Sequence, residues 1–279
     1  MNADRPLLSR SSARRPGKRG LVTALGIGAI VLSLVACSSD AAAAKDPVAG
    51  ASGATSASPK PKQKPKSTPT PTPTAEAFNK AANSVDDPSS IWVVVNKTRS
   101  LNPANYAPTD LVYPAVTYVN RQPMRAEVAN ALVAMFAAGA SESQLQFSVQ
   151  SAYRSFAAQT SVYDQIVDTK GQAQADTISA RPGHSEHQTG LAVDISALPA
   201  SCSLQTCFAN TPQGKWLAAN AWKYGFLLRY PADKVAVTGY SFEPWHYRYV
   251  GVALSTELHN TGVETLEEFF ALPGGTTYH

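Results

Sequence analysis

The last 205 residues of this chain lack any excess of positive charge. Residues 1–74 hold 11 of the 24 Lys and Arg but only 3 of the 20 Asp and Glu, leaving 13 basic and 17 acidic side chains in the remainder. The formal net charge of +4 therefore belongs to the N-terminal segment. A basic nucleic-acid-binding body is excluded, because no cationic surplus is there to displace counterions from phosphates. Long apolar runs are also scarce. Only Leu21 to Ala36 is of notable length, which excludes a multi-pass membrane protein. Aromatic residues are missing from 38–74, and histidine from everything before His184. The chemistry that histidine supplies is thus confined to the C-terminal third. At 279 residues the chain has room for one large domain or two small ones.

Six Lys and Arg between Arg5 and Arg19 precede the apolar run, and Cys37 follows it. A basic stretch, an apolar stretch and a small residue before the cut make a secretory signal. The ending Leu34-Val35-Ala36-Cys37 resembles the lipobox at which bacterial lipoproteins are cleaved and lipidated. Residues 1–36 are accordingly expected to be a lipoprotein signal peptide, with Cys37 carrying lipid. Several acyl chains would anchor the chain stably on the outer face of the cytoplasmic membrane. An uncleaved single-pass anchor is the alternative, although the run is short for a span. Residues 37–78 are rich in Ala, Pro, Thr and Lys and poor in large apolar side chains. Such a segment cannot repay its ordering entropy and reads as a disordered, semi-stiff linker.

The remaining residues, 79–279, read as one α+β domain with a small, largely antiparallel sheet packed against helices. Strands are expected at Ile91–Val95, Leu145–Ser151, Leu191–Ile195, Phe226–Leu228 and Trp245–Val250. Helices are expected at Arg125–Ala138, Ser155–Lys170, Lys215–Tyr224 and Val263–Leu272, with Gly171 and Gly225 as stops. A monomer is expected.

Two short stretches concentrate the chemistry. Pro182 to Asp194 supplies His187 and Asp194, and Glu243-Pro-Trp-His-Tyr-Arg248 supplies His246 and Glu243. Two His and one carboxylate form a catalytic zinc set with the fourth position open. Glu243 precedes His246 by three residues, so it can reach a water in that position without being a ligand and take its proton. Gly190 is expected to spare the metal from crowding where the backbone turns between His187 and Asp194.

Ser185-x-His187-x-x-Gly190-x-Ala192-x-Asp194 followed by Glu243-x-x-His246 resembles the VanY-type D-alanyl-D-alanine carboxypeptidases. These belong to the LAS zinc metallopeptidases, which share a fold with the hedgehog signalling domain. Ser151-Ala-Tyr-Arg-Ser155 with Gln159 is similar to a further family segment, and the similarity spans about residues 90–255. The resemblance implies Zn²⁺ on His187, Asp194 and His246, with Glu243 as general base and then acid. It implies Arg154 near the substrate, where a guanidinium fork suits a terminal carboxylate or a developing oxyanion. Gln159 and Ser185 would hydrogen-bond the terminal residue, and Trp245 would wall the pocket.

Other residues read as plain. His184 belongs to the loop or lies behind the ligands; His259 and His279 belong to the terminal helix and tail. Tyr247 and Arg248 support the strand. Cys202 and Cys207 flank a short loop, and outside the cytoplasm a disulfide suits them better than zinc. The chain is therefore expected to trim the terminal D-Ala from peptidoglycan stem peptides. The rivals are an L,D-carboxypeptidase or endopeptidase on the same scaffold, and a wall-binding module without turnover.

Overall fold

The structure, a computed structural model, describes residues 77–278. The signal peptide, Cys37, nearly all of the linker and His279 lie outside the described residues. Among those described, no helix is long and apolar enough to cross a membrane.

A short antiparallel pair, β1 (Leu111–Val112) with β2 (Met124–Arg125), leads into α1 (Ala126–Ser143). The central sheet comprises β3 (Gln146–Ser151), β4 (Ala192–Leu198), β5 (Phe226–Leu228) and β6 (His246–Tyr249). Its order is β3-β4-β6-β5 and every pairing is antiparallel. Between β3 and β4 run α2 (Phe156–Lys170) and α3 (Gln172–Ile178). Between β4 and β6 run α4 (Pro212–Asn220) and α5 (Val235–Thr238), and α6 (Val252–Thr261) and α7 (Leu266–Phe270) close the chain. This is the expected α+β domain.

Period-two alternation divides the strands between two environments. Val193, Ile195 and Ala197 of β4, with Tyr247 and Tyr249 of β6, join α1 residues Val128, Leu132 and Met135 in one buried cluster. Asp194, His246 and Arg248 fall on the opposite face. A second cluster gathers Trp92, Val94, Val250, Leu254, Leu258, Leu266 and Phe269, which is how α6 and α7 are fastened to the body.

Local signals set most helix ends. The Ser155 hydroxyl accepts from Ala158 N at the start of α2, and Gly171 at φ 79° ends it. Thr211 caps α4 with a proline at the first turn, three residues before the expected start. That helix then tightens into a 3₁₀ turn over Ala221–Tyr224, stopped by Gly225. α1 runs five residues beyond Ala138, and the closing helix starts only at Leu266, where Thr265 caps it.

One expected strand is absent. Ile91–Val95, half-buried at Ile91 and buried from Trp92 on, pairs with no neighbouring strand. Its backbone groups are taken elsewhere: Arg248 Nη2 donates to Ile91 O and Val93 O, Arg99 Nε donates to Val94 O, and Val94 N donates to Val85 O. A buried guanidinium does the work of a partner strand, and no β-propensity reading registers that.

Candidate active site

The sheet register builds the centre of the site. Asp194 pairs with His246 across β4 and β6, and with Ser151 across β3 and β4. His187 arrives from the 3₁₀ turn Glu186–Thr189, which ends at Gly190 with φ 68°. A side chain at Gly190 would crowd Arg125, Leu111 and Pro108, with Arg125 Cγ 3.0 Å from the added carbon. The glycine thus serves the turn and its packing against β1 and β2, not clearance of the ligand set as expected.

His187, Asp194 and His246 are buried, and each offers one ligand atom within 4.8 Å of the others. The two rings stand perpendicular with centroids 5.0 Å apart. His187 Nδ1 donates to Ala152 O at 2.7 Å, which leaves Nε2 facing Asp194 Oδ2 at 3.3 Å. His246 Nδ1 faces Asp194 Oδ1 at 3.0 Å, while its Nε2 faces Glu186 Oε2 at 3.3 Å. Each imidazole therefore has one nitrogen held from behind by an oxygen acceptor, the arrangement that fixes tautomer and ring direction for a metal ligand. Two imidazoles and a carboxylate suit a transition metal such as zinc.

The electrostatics agree. Burial works against a charged His246, yet Asp194 and Glu186 raise its pKa to about 10. The surroundings thus favour positive charge between that ring and Asp194, which is what a cation supplies. Burial would raise the Asp194 carboxyl, but His187 and His246 hold it well below the usual carboxylate range. Burial lowers His187, against the pull of Asp194.

Glu243 enters from the loop before β6, with Oε2 3.9 Å from His246 Nδ1. Burial pushes its carboxyl up to about 7, against His246 and helped by the charge of Asp194. It lies beside the ligand set without belonging to it.

Arg154 follows β3, its backbone N–H donating to His187 O. Both hydrogen bonds of its guanidinium go to uncharged partners: Nη1 to Gln159 Oε1 at 2.9 Å and Nη2 to Ser151 Oγ at 3.1 Å. Among the described residues it makes no ion pair. Burial lowers its pKa while Asp194 and Glu243 raise it. Arg154 is half-buried, and a guanidinium in that position without a carboxylate is free to pair with an anion that enters the cleft.

Gln159 sits on α2 with both amide hydrogens committed, accepting from Arg154 and donating to Ala180 O at 2.6 Å and Ser179 Oγ at 3.3 Å. In this structure it holds Arg154 in place and lines the cleft, with the second lone pair of Oε1 left for the expected substrate contact. Ser185 and Trp245 both line the cleft. His184 does not: its Nδ1 bonds Asn96 O and its ring meets Tyr278 edge-on. His259 stacks on Trp222, away from the site. Cys202 and Cys207 form a disulfide whose loop reaches the cleft through Leu204, Gln205 and Thr206.

Sequence reading missed Glu186. Its carboxylate accepts from Arg229 Nε and Arg248 Nη1, each at 2.8 Å, and all three side chains are 0% exposed. Burial alone would raise its pKa, but the two arginines hold it well below the usual range. Arg229 continues to Glu267 on α7, which also accepts from Asn96 Nδ2. The available signal was a carboxylate between two motif positions, Ser185 and His187.

A family model described as VanY, D-alanyl-D-alanine carboxypeptidase, matches residues 121–252. The chain is 41% identical over 192 residues to YodJ, a carboxypeptidase candidate of Bacillus subtilis (strain 168), covering 67% of this chain and 69% of the relative. Among solved structures, the LdcB LD-carboxypeptidase aligns with a TM-score of 0.61 and 41% identity over 66% of this chain and 87% of that one. A variant of the vancomycin-resistance D,D-pentapeptidase VanY, solved with Zn(II), aligns with a TM-score of 0.52 and 31% identity. That match covers 64% of this chain and 97% of the other.

Proposed function

Given that this chain belongs to the VanY family of D-alanyl-D-alanine carboxypeptidases, we propose that it is a zinc-dependent D,D-carboxypeptidase that removes the terminal D-Ala from peptidoglycan stem peptides. The observation that carries this reading is Arg154, a half-buried guanidinium bonded only to neutral partners and opening on the same cleft as His187, Asp194 and His246. An exopeptidase must recognise a free carboxylate, and an Arg fork without an internal anion is suited to receive one.

His187 Nε2, Asp194 and His246 Nδ1 would hold the zinc. When bound, zinc supplies Lewis acidity toward the scissile carbonyl and lowers the pKa of water toward about 7. The chain's own groups do the rest. Glu243 takes a proton from the attacking water and returns it to the departing amine, so that the C–N bond breaks into a shortened peptide and free D-Ala. Arg154 pairs the terminal carboxylate, Gln159 and Ser151 fix the guanidinium plane, and Ser185 offers a hydroxyl to the terminal residue. Trp245 walls the cleft. Glu186 orients His246 from behind.

The likeness to LdcB favours a second reading, L,D-cleavage of tetrapeptide stems by the same groups. A wall-binding module has nothing to gain from a carboxylate placed like Glu243. Incubation with defined penta- and tetrapeptide stems, with and without a chelator, followed by product masses, separates these readings. Chelator-sensitive loss of one D-Ala from the pentapeptide is the expected result. For location, the Leu34-Val35-Ala36-Cys37 lipobox likeness supports a lipid on Cys37 and attachment to the outer face of the cytoplasmic membrane.

A further inference from the structure

The cleft that holds Arg154 and the His187, Asp194, His246 group extends well past them. Its volume is about 670 Å³, the size that takes a drug-sized ligand and far more than one alanine. Its two ends differ. At the inner end, Gln159 and Ser185 are 1% and 4% exposed. At the mouth stand Leu204, Gln205 and Thr206, all exposed, on the loop closed by Cys202 and Cys207. Leu204 is 45% exposed although it lines a cleft whose walls include Val162, Ile166 and Ile178. An aliphatic side chain in that position loses its water only when a ligand covers it.

The loop backbone is unusual. Cys202 and Leu204 both lie in the left-handed region, at φ 54° and 53°. Residues other than glycine occupy it at a cost, and such positions concentrate at functional sites. The loop is also held at its base. Gln205 N donates to Cys202 O at 3.1 Å, Cys202 packs against the core, and the next residue after Cys207, Phe208, is fully buried. Leu204, Gln205 and Thr206 are therefore presented from a fixed footing.

We propose that the Cys202–Cys207 loop is a specificity wall for the peptide on the acyl side of the scissile bond. Leu204 covers the aliphatic part of a substrate side chain, and Gln205 and Thr206 offer uncharged hydrogen-bonding groups to the peptide. The inference rests on the carboxypeptidase reading, in which the terminal carboxylate goes to Arg154 beside the buried Gln159, so the preceding residues leave through the exposed mouth. The cross-link keeps the wall ordered before substrate arrives, which lowers the ordering cost of binding. Affinity for extended peptides thereby depends on the disulfide, and affinity for a minimal substrate does not.

The test compares wild type, Leu204→Ser and the double variant Cys202→Ser/Cys207→Ser at equal zinc occupancy. KM and kcat are measured for an acylated D-Ala-D-Ala dipeptide and for a full stem pentapeptide. Calorimetric affinities for the same two peptides are measured in a Glu243→Ala background. Both variants should raise pentapeptide KM and Kd by about tenfold, the scale of one lost apolar contact, with kcat unchanged and dipeptide values unmoved. Leu204 is exposed, so its replacement leaves the fold intact even if the double variant melts early. Equal losses for both peptides, or no loss for either, overturn the proposal. If wild type releases no residue from either peptide, the carboxypeptidase reading fails. The two affinities then decide on the wall, and peptide binding that ignores the loop, or is absent altogether, overturns it.

Discussion

Glu186 Oε2 stands 3.3 Å from His246 Nε2, across the imidazole from Asp194 Oδ1, which is 3.0 Å from Nδ1. The ring is thus aimed by a carboxylate that is itself clamped between Arg229 and Arg248. A ligand held this way carries its direction in the surrounding fold rather than in its own rotamer.

Glu186→Gln keeps the shape and removes the charge. Zinc affinity, read by chelator competition, should fall about 10–100-fold. Stability should fall by about 3–5 kcal/mol, because two buried guanidinium groups lose a shared counter-ion. The pH dependence has a definite sign. The folded carboxyl is held below its ordinary 4.5, so its contribution is present above that pH and is lost as pH falls further. The difference in melting temperature between wild type and Glu186→Gln should therefore shrink below pH 4.5.

Removal of one ligand gives a separate check on the metal. Protein purified without added metal should carry about one zinc by elemental analysis, and His187→Ala should carry almost none. Chelation should lower the melting temperature of wild type and leave His187→Ala unmoved, since a ligand stabilises only the fold that binds it.

Arg154→Ala should cost about 10–100-fold in kcat/KM for a peptide with a free C-terminus, the scale of a hydrogen bond to a charged group. Arg154→Lys should recover only part of this, since a point charge lacks the fork. The same substitutions should have little effect on a C-terminally amidated peptide, which already lacks the partner.

Glu243 gives two pH signatures, and the one in stability is opposite in sign to that of Glu186. Burial raises its carboxyl to about 7, and a base must be ionised to act, so kcat/KM should fall as pH drops through the Glu243 pKa. Bound zinc lowers that pKa, which places the acid limb at or below 7. Chelated protein reports the same group through stability. The raised pKa favours the folded state at low pH, and that contribution is lost as pH rises through about 7. Chelated Glu243→Gln should therefore melt above wild type at pH 8 and match it below the ordinary carboxylate value.

The parts of the site legible in the sequence were those with local spacing. Ser185 to Asp194 and Glu243 to His246 carry their geometry in turn and strand periodicity, and the β4–β6 register completes it. The Glu186 network has no such local trace, because its arginines lie 43 and 62 residues away. Gln159 reads as a substrate contact, and a sequence does not reveal that its amide nitrogen also serves Ala180 O and Ser179 Oγ. Ile91–Val95 has strand composition, and the reach of Arg248 and Arg99 to its carbonyls removes the need for a partner strand. α3 escaped notice for a different reason: it buries only Ala175, so it shows no apolar stripe.

The measurement that bears most directly on the account is release of terminal D-Ala from a defined stem pentapeptide by wild type and Glu243→Ala at equal zinc occupancy. Glu243→Ala should keep its zinc and its fold while turnover falls by about 10²–10⁴-fold. Equal rates for the two proteins would contradict the role given to Glu243, and no release by wild type would contradict the carboxypeptidase reading itself.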